Sequence, residues 1–350
     1  MIRKQSSLAL AALLCTVSLQ AQQPAMASPS PAPAPQASAA SASAPSQTAA
    51  AQAGKAQTSQ PPAGQDQSGD TAPVIKVGVN EVNLIFTVTD KHGHYIPNLQ
   101  QSDFALLDNQ RAPARVTSFR QQINLPLRVG IVIDTSTSIR TRFKFEQQSA
   151  IEFLLEVLKS RSDRAFVMGF DVTPDVTQDW TNNLDGLESG INNLHPGGGT
   201  ALFDAVYSAC RDKLLDVARG QEPVRKAMIL LSDGDDNQSH VYPDEAIKMC
   251  QRAETIIYAI STNWTPSRGK GDDVLARMAE ETGGRVFFPP SVEDVYNSFK
   301  GIEEELRSQY ALTYEPADFK YDGSFRTIYL YCNDRRYIAR TRKGYFAPRQ

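Results

Sequence analysis

A chain of 350 residues, 41% of them hydrophobic in type, is long enough to bury one large core and a smaller second one. Its 36 basic residues fall short of its 39 acidic ones, and without Arg3 and Lys4 the count is 34 against 39, a formal charge of −5, so no basic excess exists to attract nucleic acid. Nowhere do about 18 apolar residues follow one another, and no membrane span is expected.

Arg3 and Lys4 ahead of the short apolar run Leu8–Leu14 read as an export signal. Cleavage is expected after Ala21 or after Ala27, the latter behind the small-x-small pattern Ala25-Met26-Ala27, which sets the signal at 1–27 and sends the mature chain to the periplasm or outside the cell. A lipoprotein would need a small residue just before Cys15, where Leu13-Leu14 stand instead. From Ser28 to Pro73 there is no Leu, Ile, Val or aromatic residue, so 28–73 is expected to be a disordered Ala/Pro/Ser/Gln-rich tether. Cleavage leaves Cys210, Cys250 and Cys332, each on an apolar pattern: Cys210 follows Leu202 and Val206 at helical spacing, Cys250 follows Ile247 by about one turn, and Cys332 continues the alternation of Ile328 and Leu330. Buried thiols are expected rather than a disulfide.

Order begins near Val74. Val82, Leu84, Phe86 and Val88 alternate with polar residues up to Asp90-Lys91-His92-Gly93, a hairpin signal, and short strands are expected over Phe104–Leu107 and Val116–Phe119. This N-terminal β segment, 74–125, ends before Pro126. Over 127–309 strands alternate with helices, the pattern of a mostly parallel sheet. The run Arg128–Asp134 reads as a strand covered on both faces. A helix follows, with Ile151, Leu154, Leu155 and Leu158 as its apolar stripe. Further strands are expected over Arg164–Phe170, Lys226–Leu231, Ile256–Ile260 and Arg285–Phe288. Helices are expected over Leu184–Leu194, Leu202–Val217, Asp244–Ala253, Asp273–Glu281 and Val292–Arg307. The C-terminal segment, 310–350, is again strand-like, with Phe325, Thr327, Tyr329 and Tyr331 alternating. Since a meander of a few strands is marginal alone, the two flanks are expected to pair. The fold class is therefore α/β, a doubly wound, mostly parallel, Rossmann-like sheet beside a small β-sheet or sandwich made by the flanks.

Three separated segments put small oxygen-bearing residues where apolar elements end: Asp134-Thr-Ser136-Thr-Ser138, Gly197-Gly-Gly-Thr200 and Ser232-Asp233-Gly234. In an open parallel sheet all strand carboxyl ends lie on one edge, so the three loops can converge there. Singly, each has a plainer reading as a helix cap, a flexible loop or a turn. His195 reads as a helix-end residue, and Asp235-Asp236-Asn237 as a solvated loop without the ligand spacing of an EF-hand. Together, hydroxyls and carboxylates without histidine or cysteine suit a hard divalent cation, Mg2+ first, with Mn2+ or Ca2+ open.

This arrangement, D-x-S-x-S followed by a distant Thr and a distant Asp, resembles the metal-ion-dependent adhesion site of von Willebrand factor type A (VWA) and integrin I domains. The resemblance covers Leu127 to about Leu306. It implies that Ser136 and Ser138 are hydroxyl ligands, that Thr200 binds directly or through water, and that Asp134 and Asp233 bind largely through waters. Phe104, Tyr314-Glu-Pro316 and Arg342-Lys-Gly-Tyr345 in the flanks resemble exported, VWFA-related proteins of acidobacteria. The implied function is protein binding, an acidic group (Asp or Glu) of an unidentified protein ligand being captured at the cation's open position. A second reading makes the metal a loop stabiliser in an assembly protein. Metal-assisted hydrolysis is a third, disfavoured because no G-x-S-x-G, H-E-x-x-H or Walker sequence is present and only Asp134 and Asp233 are at hand as bases. No enzymatic activity is expected.

Overall fold

The computed structural model describes residues 80–349, apart from 124, 218–223, 264 and 266. The expected signal and tether, 1–73, lie outside the described residues. Strands β1 (Val82–Thr89), β2 (Phe104–Asp108) and β3 (Arg115–Ile123) come first. An alternating series follows: β4 (Leu127–Asp134), α1 (Phe143–Val157), β5 (Arg164–Phe170), β6 (Pro174–Thr181), α2 (Leu184–Asn192), α3 (Leu202–Ser208), β7 (Arg225–Ser232), α4 (Pro243–Arg252), β8 (Ile256–Ser261), α5 (Lys270–Thr282), β9 (Val286–Phe287) and α6 (Val292–Arg307). Directly at the end of α6 starts β10 (Ser308–Glu315), and β11 (Phe325–Cys332), β12 (Ile338–Arg340) and β13 (Gly344–Phe346) close the chain.

The six-stranded sheet has the order β6-β5-β4-β7-β8-β9, parallel except for β6. Every residue of β4 is buried, as a central strand covered on both faces requires. Its side chains part by the period of two. Val129, Ile131 and Ile133 pack with Phe153, Ile191, Phe299 and Ile302 of α1, α2 and α6, while Val132 packs with Val206, Ala246 and Leu275 of α3, α4 and α5. The chain leaves β4 toward β5 on one side, and β7 stands on the other, so the strand order reverses between β4 and β7. In open sheets the crevice at such a reversal is where ligands bind.

Several expectations need correction. Of the expected α1 stripe, Leu154 is buried and Ile151 and Leu158 pack half-buried against the same core, but Leu155 points away from it. Leu155 is exposed, and the buried positions are Phe143, Glu146, Gln147, Ser149, Ala150, Phe153, Leu154 and Val157. Three of these are polar, Glu146, Gln147 and Ser149, so the N-terminal half of the core face is not legible from apolar periodicity. The expected helix Leu202–Val217 is α-helical only to Ser208 and continues over Ala209–Leu214 with wider π-type turns. Cys210, in that continuation, forms a disulfide with Cys250 of α4. Both cysteines are indeed buried, but the two helices face one another and bring their Cα atoms to 5.1 Å, inside bridging range. Cys332 is unpaired. The turn after β1 forms, yet the chain returns only to a single bridge, Thr89↔Tyr95, and no hairpin strand follows. The edge strand β6 escapes sequence reading because Pro174–Thr181 is polar and only half-buried.

The flanking segments form two antiparallel sheets, β12-β1-β10-β3 and β13-β11-β2. Val82, Leu84, Phe86 and Val88 of β1 face Leu106, Ile328 and Leu330 of the second sheet across a shared core with Tyr310, Leu312 and Tyr314. A buried polar node lies inside. Asp108 accepts from Arg326 Nε at 2.9 Å, from Tyr314 at 2.7 Å and from Tyr345 at 2.8 Å. No helix among the described residues is long and apolar enough to cross a membrane.

Candidate metal centre

The strand reversal places the ends of β4 and β7 side by side, and with them four of the five candidate residues. Asp134, the last residue of β4, is fully buried; its Oδ1 accepts the Ser136 amide at 2.8 Å and its Oδ2 accepts the Ser232 hydroxyl at 2.7 Å. From Ser136 Oγ to Ser138 Oγ is 3.0 Å, and Ser138 Oγ donates to Asp233 Oδ2 at 2.9 Å. Since a hydroxyl has one hydrogen, Ser136 donates to Ser138, and both oxygens keep acceptor lone pairs. A continuous polar run thus links the two loops: Ser136 to Ser138 to Asp233, with Asp134 tied to Ser136 and Ser232.

Thr200 joins this group through backbone rather than side chain. Its N–H donates to Asn237 Oδ1 at 3.0 Å, and its carbonyl accepts the amides of Asn237 and Gln238, each at 3.0 Å. The glycine loop before it is pinned to the β4 loop: Gly197 N–H donates to the Thr135 carbonyl at 2.7 Å, and Thr137 Oγ1 to the Gly198 carbonyl at 2.7 Å. The Thr200 backbone is buried in this frame. The three loops therefore meet, with Thr200 held beside the four-residue cluster.

Glycine is required where α5 presses on the β7 loop. Gly234 has φ +81°, and a Cβ on it would stand 2.1 Å from the Gly271 carbonyl oxygen, while one on Gly271 would stand 2.2 Å from the Asp233 carbonyl oxygen. This close approach fixes the backbone that carries Asp233.

Burial pushes the Asp134 carboxyl up to about 6, against the hydrogen bonds from Ser136 and Ser232, which pull it down; nearby Asp233 adds to the rise. A third carboxylate lies in the same field. Glu146, in the first turn of α1, is buried with neither carboxylate oxygen hydrogen-bonded, and burial raises its pKa to about 8, Arg142 pulling down and Asp134 and Asp233 pushing up. His195, by contrast, is exposed and bonds only the Asn193 carbonyl, and Asp236 caps the Ser239 amide.

These residues suit a hard cation. Among the described residues no set of three or more His, Cys, Asp or Glu side chains is grouped to hold a metal, so a cation here has to draw on the serine hydroxyls beside Asp134 and Asp233. The buried Glu146 carboxyl, without a hydrogen-bond partner, is a group whose ionisation a nearby cation would offset.

Sequence reasoning missed three participants. Ser232 was in view as part of Ser-Asp-Gly but not as the partner of Asp134. Asn237 sat in a stretch read as solvated, whereas it is the clamp on Thr200. Glu146 carries a signal, one helical turn before the buried Ala150 on the core face, but the apolar pattern of α1 becomes legible only further along the helix.

The family model for the von Willebrand factor type A domain matches residues 129–301, the span that carries all of these residues. Over these residues the chain has the α/β fold of the von Willebrand factor type A domain. The chain is 29% identical over 171 residues to von Willebrand factor A domain-containing protein 3B of Homo sapiens, which is 45% of this chain but only 11% of that protein. Among solved structures, one of proximal thread matrix protein 1 from the mussel byssus, with a zinc-occupied MIDAS motif, is similar at TM-score 0.46 and 17% identity, covering 57% of this chain and 50% of that one. A von Willebrand factor type A protein from Catenulispora acidiphila is similar at TM-score 0.43 and 16% identity, covering 72% and 74%.

Proposed function

We propose that this VWA protein is an exported recognition module that binds a divalent cation, Mg2+ foremost, at Asp134, Ser136, Ser138, Thr200 and Asp233, and uses it to capture a carboxylate of a protein partner. The observation that carries the reading is the hydrogen-bonded run from Ser136 through Ser138 to Asp233, with Asp134 anchored beneath it at the strand reversal. Neutral hydroxyls as direct donors, with carboxylates holding the ion's waters, leave the ion electrophilic enough to take an anionic oxygen from outside. Net affinity then depends on the protein surface around the ion, because desolvating ion and carboxylate offsets much of their attraction. Export is supported by Arg3, Lys4 and Leu8–Leu14, and the Cys210–Cys250 bridge suits an oxidising compartment. The division into a signal at 1–27, a tether at 28–73, a VWA core at 127–309 and flanks at 74–125 and 310–350 belongs to the same proposal.

Water-proton relaxation of protein-bound Mn2+, titrated with acetate, tests the capture step. A saturable fall in relaxation enhancement marks a coordinated water displaced by carboxylate, as the proposal requires. Mn2+ that binds but keeps all its waters at high acetate favours a cation that only stabilises loops.

A further inference from the structure

Helix α1 follows directly on the Asp134–Ser138 loop, and its core face runs through Phe143, Glu146, Ala150, Phe153 and Val157, spacings of three, four, three and four. Every position but one in that row is apolar. The exception lies in the first turn, at the end of the helix that the cation loop leads into. Gln147 beside it is also polar but is satisfied as a donor, its Nε2 bonding the carbonyls of Ile191 at 2.6 Å and Leu194 at 3.3 Å. Glu146 has no such partner: it is 1% exposed and neither carboxylate oxygen accepts a hydrogen bond. A carboxylate in that state costs the fold far more than the methyl or isobutyl group that the row calls for.

The charged groups within its field are Arg142, Asp134 and Asp233. Arg142 gives a guanidinium hydrogen to the Thr262 carbonyl, so its charge is shared with the end of β8. Three carboxylates and one guanidinium leave two negative charges, which one divalent cation balances. With Asp134, Asp233 and Arg142 alone the ion would be over-compensated by one positive charge. Glu146 does not group with Asp134 and Asp233 closely enough for all three to hold a metal directly, which leaves contact through water.

Resting on the cation reading above, we propose that Glu146 is a third carboxylate of the metal centre, a positioning residue that accepts a hydrogen bond from a water of the bound cation on the side facing the core. It makes the site neutral when loaded and explains why a core position of α1 is spent on an acid.

The test is Mg2+ calorimetry on the chelator-treated full chain, with thermal melting in the presence of chelator and of Mg2+, for wild type, Glu146→Gln, Glu146→Met and Asp134→Ala. The expected result is opposite movement. Without metal both Glu146 variants melt at or above the wild-type temperature, because a buried carboxyl group without a hydrogen-bond partner has gone, while their Mg2+ affinity falls about tenfold or more, the usual effect of losing a group that orients a metal's ligands, and the Mg2+-induced rise in melting temperature shrinks. A merely structural Glu146 would leave Mg2+ affinity unchanged in whichever variant folds, and that outcome overturns the proposal. Wild type that binds Mg2+, with binding lost in Asp134→Ala but kept in both Glu146 variants, defeats this inference and leaves the cation reading standing; wild type that binds no Mg2+ defeats both.

Discussion

Ser138 donates its hydroxyl hydrogen to Asp233 across 95 residues of chain, at 2.9 Å, and so closes the loop after β4 onto the loop after β7. The contact exists because the two strands are neighbours in the sheet though distant in the chain, paired from Leu127↔Arg225 to Ile133↔Leu231. Ser138→Ala should leave the fold intact, costing about 1 kcal/mol for a partly exposed hydrogen bond, yet weaken Mg2+ binding at least tenfold by removing a direct donor. Calorimetry and urea denaturation on the same variant separate the two effects.

Asn237→Ala should act on the cation from a distance. The variant strands the Thr200 amide without its side-chain acceptor, at a cost of about 1–3 kcal/mol if that N–H stays buried. Mg2+ affinity should fall with it, since the Thr200 loop loses its clamp. Unchanged affinity alongside lowered stability would show Thr200 to be irrelevant to the ion.

Acidity gives a signed prediction. With its pKa raised from the usual 3.8 to about 6, Asp134 stabilises the metal-free fold most when protonated, fully below about pH 3.8, and that contribution is lost as pH rises through 6. In chelator, wild type should therefore lose up to about 3 kcal/mol relative to Asp134→Asn between pH 4 and pH 7, taking about 1.4 kcal/mol per pKa unit. Urea denaturation across that range reads the difference. With Mg2+ the trend reverses, because protons compete with the ion and affinity rises with pH.

Replacing both bridging cysteines, Cys210→Ala with Cys250→Ala, opens a loop of 40 residues. Chain entropy puts the loss at about 4 kcal/mol at most. The bridge joins the layer of α3 and α4, on the sheet face away from Glu146, so Mg2+ affinity should change little while the melting temperature drops.

In the sandwich, Asp108→Asn takes the charge from a node where Arg326 is 3% exposed and Asp108 1% exposed. Leaving that guanidinium without its buried carboxylate partner should cost about 3–5 kcal/mol, read by denaturant unfolding, although Asp318 still engages Arg326 at 2.6 Å and softens the loss.

The central strand was legible because Val129–Ile133 carries no polar side chain, and the convergence of the loops followed from the parallel order alone. What escaped has a common cause. Glu146, Gln147 and Ser149 hold core positions that periodicity assigns to apolar residues, so the stripe through Ile151, Leu154 and Leu158 shows only the later part of the core face of α1. Cys210 and Cys250 both looked buried, but whether two helices turn them toward one another is set by tertiary packing and not by either local pattern. The polar strand β6 gains its structure from pairing with β5, not from its own residues. Ser232 and Asn237 are ordinary turn residues until the neighbouring loops supply the groups they bind.

The most direct test of the account is isothermal titration of Mg2+, Mn2+ and Ca2+ into the chelator-treated protein beside its Asp134→Ala variant. The account predicts one saturable site in the wild type, lost in a variant that remains folded. A folded wild type that binds none of the three ions, or a variant that binds them equally well, would contradict it.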